Sequence, residues 1–348
     1  MTADPTPAYA EERDRLLALD LAPWFLASLP PIAPELPASV FLRRAVPRRR
    51  IGATAQQIRR RLEREPELPA VGSVIDRYRL ERVVGVGGFG VVYRAHHVID
   101  RAVVAIKLMR PTLARVRPHL PALLREEARL AARIDHPNVV RVLHATTADA
   151  LTYIAMEYVD GPDLSVMIRR RGALPPRMVV RVIRHVAAAL AAGCEQDLIH
   201  RDVKPSNILL TAGGVTKLTD FGLARSGLAA DPAGARGIVG TVGYMSPEQV
   251  DQPELVDFRA DIYSLGVTAY HALAGHLPFP DDDDARCAHA HRSVPIPPLP
   301  RSIAGGLRDV VMWMLAKDRD GRPTSYRELD AGLRRLLSGS GEEGTTTS

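Results

Sequence analysis

Within a short run, His200-Arg201-Asp202-Val203-Lys204-Pro205-Ser206-Asn207, the chain gathers an imidazole, a carboxylate, an ammonium and an amide, and Asp220-Phe221-Gly222 follows soon after. An aspartate can accept or orient a proton, and a lysine is a compact point charge. An asparagine and a second aspartate add further oxygen acceptors. Upstream, Gly85-Val86-Gly87-Gly88-Phe89-Gly90 spaces its glycines so that backbone amides can approach phosphate oxygens closely. Dinucleotide-binding turns share such spacing, but there the turn opens into a helix. Here Val91-Val92-Tyr93 continues as a strand, so the glycines sit on a hairpin. Val104-Ala105-Ile106-Lys107 reads as an apolar strand ending in a lysine, and a buried ammonium needs a partner. Leu120, Leu123, Leu124, Glu127, Leu130, Ala131 and Ile134 recur at spacings of three and four. Glu127 falls inside that inward stripe and Glu126 outside it, which makes Lys107 the natural cation for Glu127.

Only four of the 46 basic residues are lysines: Lys107, Lys204, Lys217 and Lys317. Arginine has replaced lysine nearly everywhere else, so a retained lysine is a candidate for work that a planar guanidinium cannot do. Two of the four already fall in the motifs above.

These groups need a scaffold, and the 348 residues allow roughly two domains of about 150 residues. Hydrophobic residues at 46% and charged residues at 25% fit a globular protein rather than a disordered or fibrous one. With only Cys194 and Cys287, a disulfide framework is excluded and a reducing compartment is expected. No apolar run reaches the roughly 20 residues of a bilayer span. The nearest, residues 178–194, is broken by Arg181, Arg184 and His185. Asp4, Glu11 and Glu12 leave no room for a signal peptide, so the expectation is a cytoplasmic protein with no membrane span. The net charge of +6 comes mainly from the basic clusters at 43–50 and 59–64, and aromatic residues at 5% are too few for base stacking. No nucleic-acid partner is expected.

Residues 1–74 are rich in Pro, Arg and Ala, with short helical patterns at 11–21 and 55–64, and read as an extension with little core. The runs 78–84, 91–96 and 103–109 predict a strand meander, 118–134 a helix, and 139–143 and 152–158 further strands. Helical periodicity then dominates at 178–194, 261–274, 307–316 and 326–337. Residues 338–348 have the composition of a disordered tail. Cys287, His289 and His291 alternate beside Asp281–284, but this reads as a solvated surface segment rather than a metal site.

In its ordered set of motifs the chain resembles the eukaryotic-type (Hanks-type) protein kinase family, over residues 76–337. The resemblance implies an α+β, bilobal protein-kinase fold spanning 75–337, with a small β-rich N-lobe at 75–158 carrying one key helix and a larger helical C-lobe at 162–337. It also implies a bacterial serine/threonine protein kinase that uses ATP and Mg2+, or Mn2+ in its place, on protein Ser/Thr hydroxyls, with autophosphorylation. By the same resemblance Asp202 would orient the acceptor hydroxyl and Lys204 would meet the transferring phosphoryl group. Asn207 and Asp220 would hold the metal, and Lys107, held by Glu127, would contact the α- and β-phosphates. Gly85, Gly87 and Gly90 would cover the phosphates. Val84, Val92 and Ala105 would roof the adenine, Leu209 would floor it, and Met156 would back it. The backbone from Glu157 to Val159 would bond its edge, and Asp163 would face the ribose. Glu248 in Ser246-Pro247-Glu248 would pair with Arg322, Asp261 would hold the catalytic loop through backbone amides, and Thr241 would shape the substrate site.

Arg201 before Asp202 suggests activation by a phosphate, yet residues 227–240 contain no Ser, Thr or Tyr. The expectation is activity without phosphorylation in that stretch. The arginine-rich extension could dock an acidic partner or the C-terminal lobe, or be a solvated tether. Two rivals stay open: a nucleotide-binding pseudokinase scaffold, and a kinase-fold enzyme acting on a small molecule.

Overall fold

Alternation along the first strands sets the small lobe. In the computed structural model, which describes residues 68–87, 89–221, 242–281 and 283–338, β1 (Val74–Ile75), β2 (Tyr78–Val86), β3 (Gly90–His97) and β4 (Val103–Met109) form an antiparallel meander. Two helices follow, α1 (Pro111–Val116) and α2 (Leu120–Ala131), and then β5 (Val142–Ala148) and β6 (Leu151–Glu157) complete a six-stranded sheet in the order β1-β2-β3-β4-β6-β5. On β4, Val104, Ile106 and Leu108 pack with Leu80, Tyr93 and Tyr153 on one face. Ala105 and Met109 face the other way, against Leu120, Leu124 and Met156. The two-residue period therefore puts Lys107 on the same face as Ala105 and Met109, toward α2.

The larger lobe holds α3 (Leu164–Arg171), α4 (Pro176–Cys194), the hairpin β7 (Ile208–Leu210) and β8 (Thr216–Leu218), α5 (Pro247–Asp251), α6 (Phe258–Ala274), α7 (Asp284–Ser293), α8 (Gly305–Met314) and α9 (Tyr326–Ser338). Every residue from Ala260 to Tyr270 on α6 is buried, so this helix is enclosed on all sides. Val186 and Leu190 of α4, Val311 of α8 and Leu329 of α9 share its core. At the rim, Arg184 of α4 donates to Asp330 of α9 at 2.8 Å.

Three expectations are corrected. The run 139–143 is not one strand: Val139 bridges Leu218, and the Val140 amide donates to Leu218 O at 2.9 Å, so its first half joins the two lobes before β5 begins. The packed part also starts earlier than residue 75, since Leu68 packs on the small-lobe core and Tyr93 donates its hydroxyl to Pro69 O. In the acidic stretch Asp281, Asp283 and Asp284 are exposed as expected, but the segment that follows is a helix rather than a surface loop. Asp283 accepts from the amides of Ala285 and Arg286 and so starts α7. Cys287 and His291 then face inward, where Cys287 Sγ meets Phe279 O at 3.7 Å, while His289 is exposed. The basic clusters, the helical patterns at 11–21 and 55–64 with their proposed acidic partner, the hydroxyl-free stretch 227–240 and the tail beyond Ser338 lie outside the described residues.

Two histidines are locked in the larger lobe: His271 on α6, whose Nδ1 is hydrogen-bonded to the Tyr244 hydroxyl at 2.7 Å, and His291 on α7, which is fully buried. Burial pushes His271 down to about 4, helped by the charge of His276. Burial does the same to His291, helped by Lys317. Between pH 6.5 and 4 the unfolded chain binds protons that the folded chain refuses, so stability falls as pH falls through this window. The loss is on the order of 2–3 kcal/mol per histidine. Thermal melts across this range should show falling midpoints, and His271→Gln should flatten part of the slope.

Candidate active site

The catalytic loop between α4 and β7 is fixed from below. The amides of His200 and Arg201 donate to the two carboxylate oxygens of Asp261 at 2.8 and 2.7 Å. Burial pushes the Asp261 carboxyl up, and the two amides only partly oppose it. Arg201 (φ 65°) and Asp220 (φ 66°) both take the left-handed backbone region, which bulky side chains rarely adopt. His200 joins the two segments. Its Nδ1 accepts from the Asp202 amide at 3.2 Å, so Nε2 carries the proton donated to Thr219 O at 2.9 Å. Its ring also packs edge-on against Phe221 at 4.8 Å. A Cβ on Gly193 of α4 would drive into that Phe221 ring, so the glycine there makes room for the segment that presents Asp220.

Asp202 Oδ2 takes the Lys204 ammonium at 2.7 Å and the Asn207 amide at 3.1 Å. Asp202 Oδ1 is buried and has no hydrogen-bond partner among the described residues. Asn207 Nδ2 also donates to Asp202 O at 2.8 Å, which leaves its amide oxygen as the group it can offer a cation. Lys107 reaches across from the small lobe to Asp220 Oδ2 at 2.8 Å. Burial works to raise the Asp220 carboxyl, but Lys107 and, more weakly, Lys204 outweigh it and hold it below the usual carboxylate range. Asp220 is thus a partner of Lys107 that the sequence did not name. Glu127 does face inward from α2, 4% exposed, while Glu126 is exposed.

Above these groups, Gly85 pairs with Val92 across the β2–β3 hairpin, and Arg110 donates to Gly87 O at 2.9 Å. Gly90 has a reason of its own, because a Cβ there would collide with the Leu108 carbonyl of β4. At Gly85 and Gly87 a Cβ would meet nothing nearer than 3.8 Å, so packing within the protein does not demand glycine at either position. Ala105, Met156, Val92, Val159 and Leu209 belong to one apolar cluster. Val84 is 40% exposed and stands outside it. The Glu157 amide donates to Arg141 O at 2.9 Å, so it is not the group that meets a base edge. Asp163 caps α3 by accepting from the Val166 amide at 2.9 Å, and its backbone bridges Leu209. Gly88, Gly222 and Thr241 lie outside the described residues.

Two retained lysines gain roles that sequence reasoning missed. Lys217 on β8 pairs with Glu157 at 3.0 Å and ties the inter-lobe strand to the larger lobe. Lys317 donates to His291 O at 2.7 Å and Ala290 O at 3.1 Å and lies 4.7 Å from the centre of the Phe279 ring. The scarcity of lysine was the signal that could have found both. Glu248 and Arg322 pair as expected, bidentately at 2.6 and 2.8 Å, with Arg322 only 1% exposed.

A curled antiparallel sheet over a helical lobe, with carboxylates, an amide and lysines converging between them, defines a phosphoryl-transfer fold. The chain belongs to the protein kinase family, whose protein kinase domain model matches residues 78–331. Its relatives include serine/threonine-protein kinase PknB of Mycobacterium leprae, 38% identical over 274 residues that make up 76% of this chain and 43% of that protein. PknA of Corynebacterium glutamicum is 37% identical, covering 69% of this chain and 52% of that one. The chain thus spans about half or less of the length of these relatives. Among solved structures, a cysteine-to-alanine mutant of the PknI kinase domain of Mycobacterium tuberculosis aligns with a TM-score of 0.62 at 29% identity, covering 78% of this chain and 99% of that one. Among the described residues no helix is long and apolar enough to cross a membrane.

Glu248→Gln should destabilise the domain by about 3–5 kcal/mol in denaturant melts, because it leaves the Arg322 guanidinium buried against a neutral amide. Replacing both residues by apolar ones of similar size should recover much of that loss.

Proposed function

We propose that this domain is a serine/threonine protein kinase that transfers the γ-phosphoryl group of ATP to protein hydroxyls, its own included. The observation that carries the reading is Asp202 Oδ1, buried and unpartnered among the described residues, in a carboxylate whose other oxygen is held by Lys204 and Asn207. That geometry leaves one carboxylate oxygen to accept a hydrogen bond from an acceptor hydroxyl and then its proton. Lys204 stands beside it as a point charge for the transferring group, and its position two residues after Asp202 favours Ser/Thr over Tyr acceptors. The oxygen donors of Asn207 and Asp220 fit Mg2+, or Mn2+ in its place. Such an ion supplies charge neutralisation on the phosphates.

Lys107 has to serve the α- and β-phosphates from a position already anchored on Asp220, so the same aspartate sets both the lysine and the metal. Ala105, Met156, Val92, Val159 and Leu209 offer the apolar walls for adenine, with Val84 as an open lip. Asp163 has one carboxylate oxygen engaged in capping α3, which leaves the other for a ribose hydroxyl. The free thiols of Cys194 and Cys287 support a cytoplasmic setting.

Transfer of radiolabelled phosphate from ATP to the kinase itself and to myelin basic protein tests the reading. Asp202→Asn should lower kcat by roughly 10²–10⁴-fold while ATP binding persists. Retained turnover in that variant would sink the assignment. Gly85→Ala and Gly87→Ala should raise the KM for ATP with little change in melting temperature, because space within the protein permits the methyl group and a bound phosphate would not.

A further inference from the structure

The turn Val242–Tyr244 leads directly into α5, and α5 is tied to the catalytic loop: Gln249 Nε2 donates to Arg201 O at 2.8 Å, one residue before Asp202. Gln249 is fixed in turn by a reciprocal cap with Ser246 at the start of α5. The turn is thus joined, through the start of α5, to the loop that carries Asp202.

Two side chains grip the turn from the interior of the larger lobe. His271 Nδ1 is hydrogen-bonded to the Tyr244 hydroxyl at 2.7 Å. His291, fully buried on α7, lies 3.0 Å from the Gly243 carbonyl. A carbonyl can only accept, so the proton of His291 must sit on Nε2. Its Nδ1 is then left to accept from the Tyr263 hydroxyl at 3.0 Å, so both ring nitrogens are engaged. Tyr263 belongs to the enclosed helix α6, and the Arg322 guanidinium lies 4.8 Å above its ring. Lys317 locks the other side by donating to the carbonyls of Ala290 and His291 in the last turn of α7. An apolar side chain would fill the same space, but it would not direct a donor at Gly243.

We propose that His291 is a positioning residue for the protein acceptor: its Nε2 proton, with Tyr263 bonded to the other ring nitrogen, holds the Gly243 carbonyl and sets the height of the turn that leads into α5. This rests on the kinase reading above and adds to it a residue that touches neither ATP nor the reacting groups. ATP meets the other face of the cleft, so loss of the grip should weaken acceptor binding and spare nucleotide binding.

Steady-state kinetics with myelin basic protein as acceptor, on the full chain, separate the two substrates. His291→Phe should raise the KM for this acceptor roughly tenfold while the KM for ATP stays within about twofold. His291→Gln, which keeps a side-chain N–H donor, should stay within about threefold of wild type, and Tyr263→Phe should fall between the two. Equal shifts in both KM values, or a His291→Gln variant as impaired as His291→Phe, would overturn the proposal. If His291→Phe does not fold by circular dichroism, Tyr263→Phe decides, and an unchanged acceptor KM there rejects the idea. A wild-type chain that labels neither itself nor the acceptor would instead remove the kinase reading, whereas active variants indistinguishable from an active wild type remove only the role of His291.

Discussion

One buried carboxylate under the catalytic loop governs the site. Asp261 lies on the helix with the least freedom to move, since α6 is enclosed on all sides, and its two oxygens receive two consecutive amides of the loop. Burial alone would favour the neutral acid, but only an acceptor at both oxygens satisfies both amides. The left-handed backbone at Arg201 is the local cost of presenting those amides together, and it turns Asp202 outward toward the cleft. His200 carries the same constraint to Thr219 and so to Asp220. The loop and the segment that presents Asp220 are therefore set by one anchor rather than by two independent ones.

The small lobe is coupled to this arrangement through a few polar ties. Lys107 ends on Asp220, Glu157 ends on Lys217, and the Val140 amide meets Leu218 O. Each tie joins a group of one lobe to a group of the other near the cleft. Sliding the lobes apart would break two ion pairs and leave partly buried charges without partners, which is expensive in a low-dielectric setting. The separation of the lobes is in that sense set by charge as well as by apolar packing.

Much of this was legible in the chain itself, and the misses have physical causes. Strict alternation placed β4 on Val103–Met109 and put Lys107 on the inner face, and spacings of three and four separated Glu127 from Glu126. Periodicity assigns a face, however, and says nothing about which neighbour across the cleft a charge will meet, so Asp220 was not foreseen as a partner of Lys107. The helix α7 was hidden because its acidic lead and polar composition resemble a loop. Tertiary packing of Cys287 and His291 decides it instead. Gly90 was assigned to phosphate approach, yet the nearest obstacle is a carbonyl of the adjacent strand, a contact that motif spacing cannot reveal.

The near-absence of lysine has a practical corollary. Lys107, Lys204 and Lys217 each have side chains no more than 20% exposed and engaged with a carboxylate, and Lys317 is anchored on two carbonyls. The rest of the basic coat is guanidinium, which amine-directed acylating reagents do not attack. Apart from its own amino terminus, the polypeptide offers such a reagent few targets, and two of them flank the cleft. Acylation yield on this molecule would thus act as a gauge of cleft occupancy, with little background from the exterior to subtract.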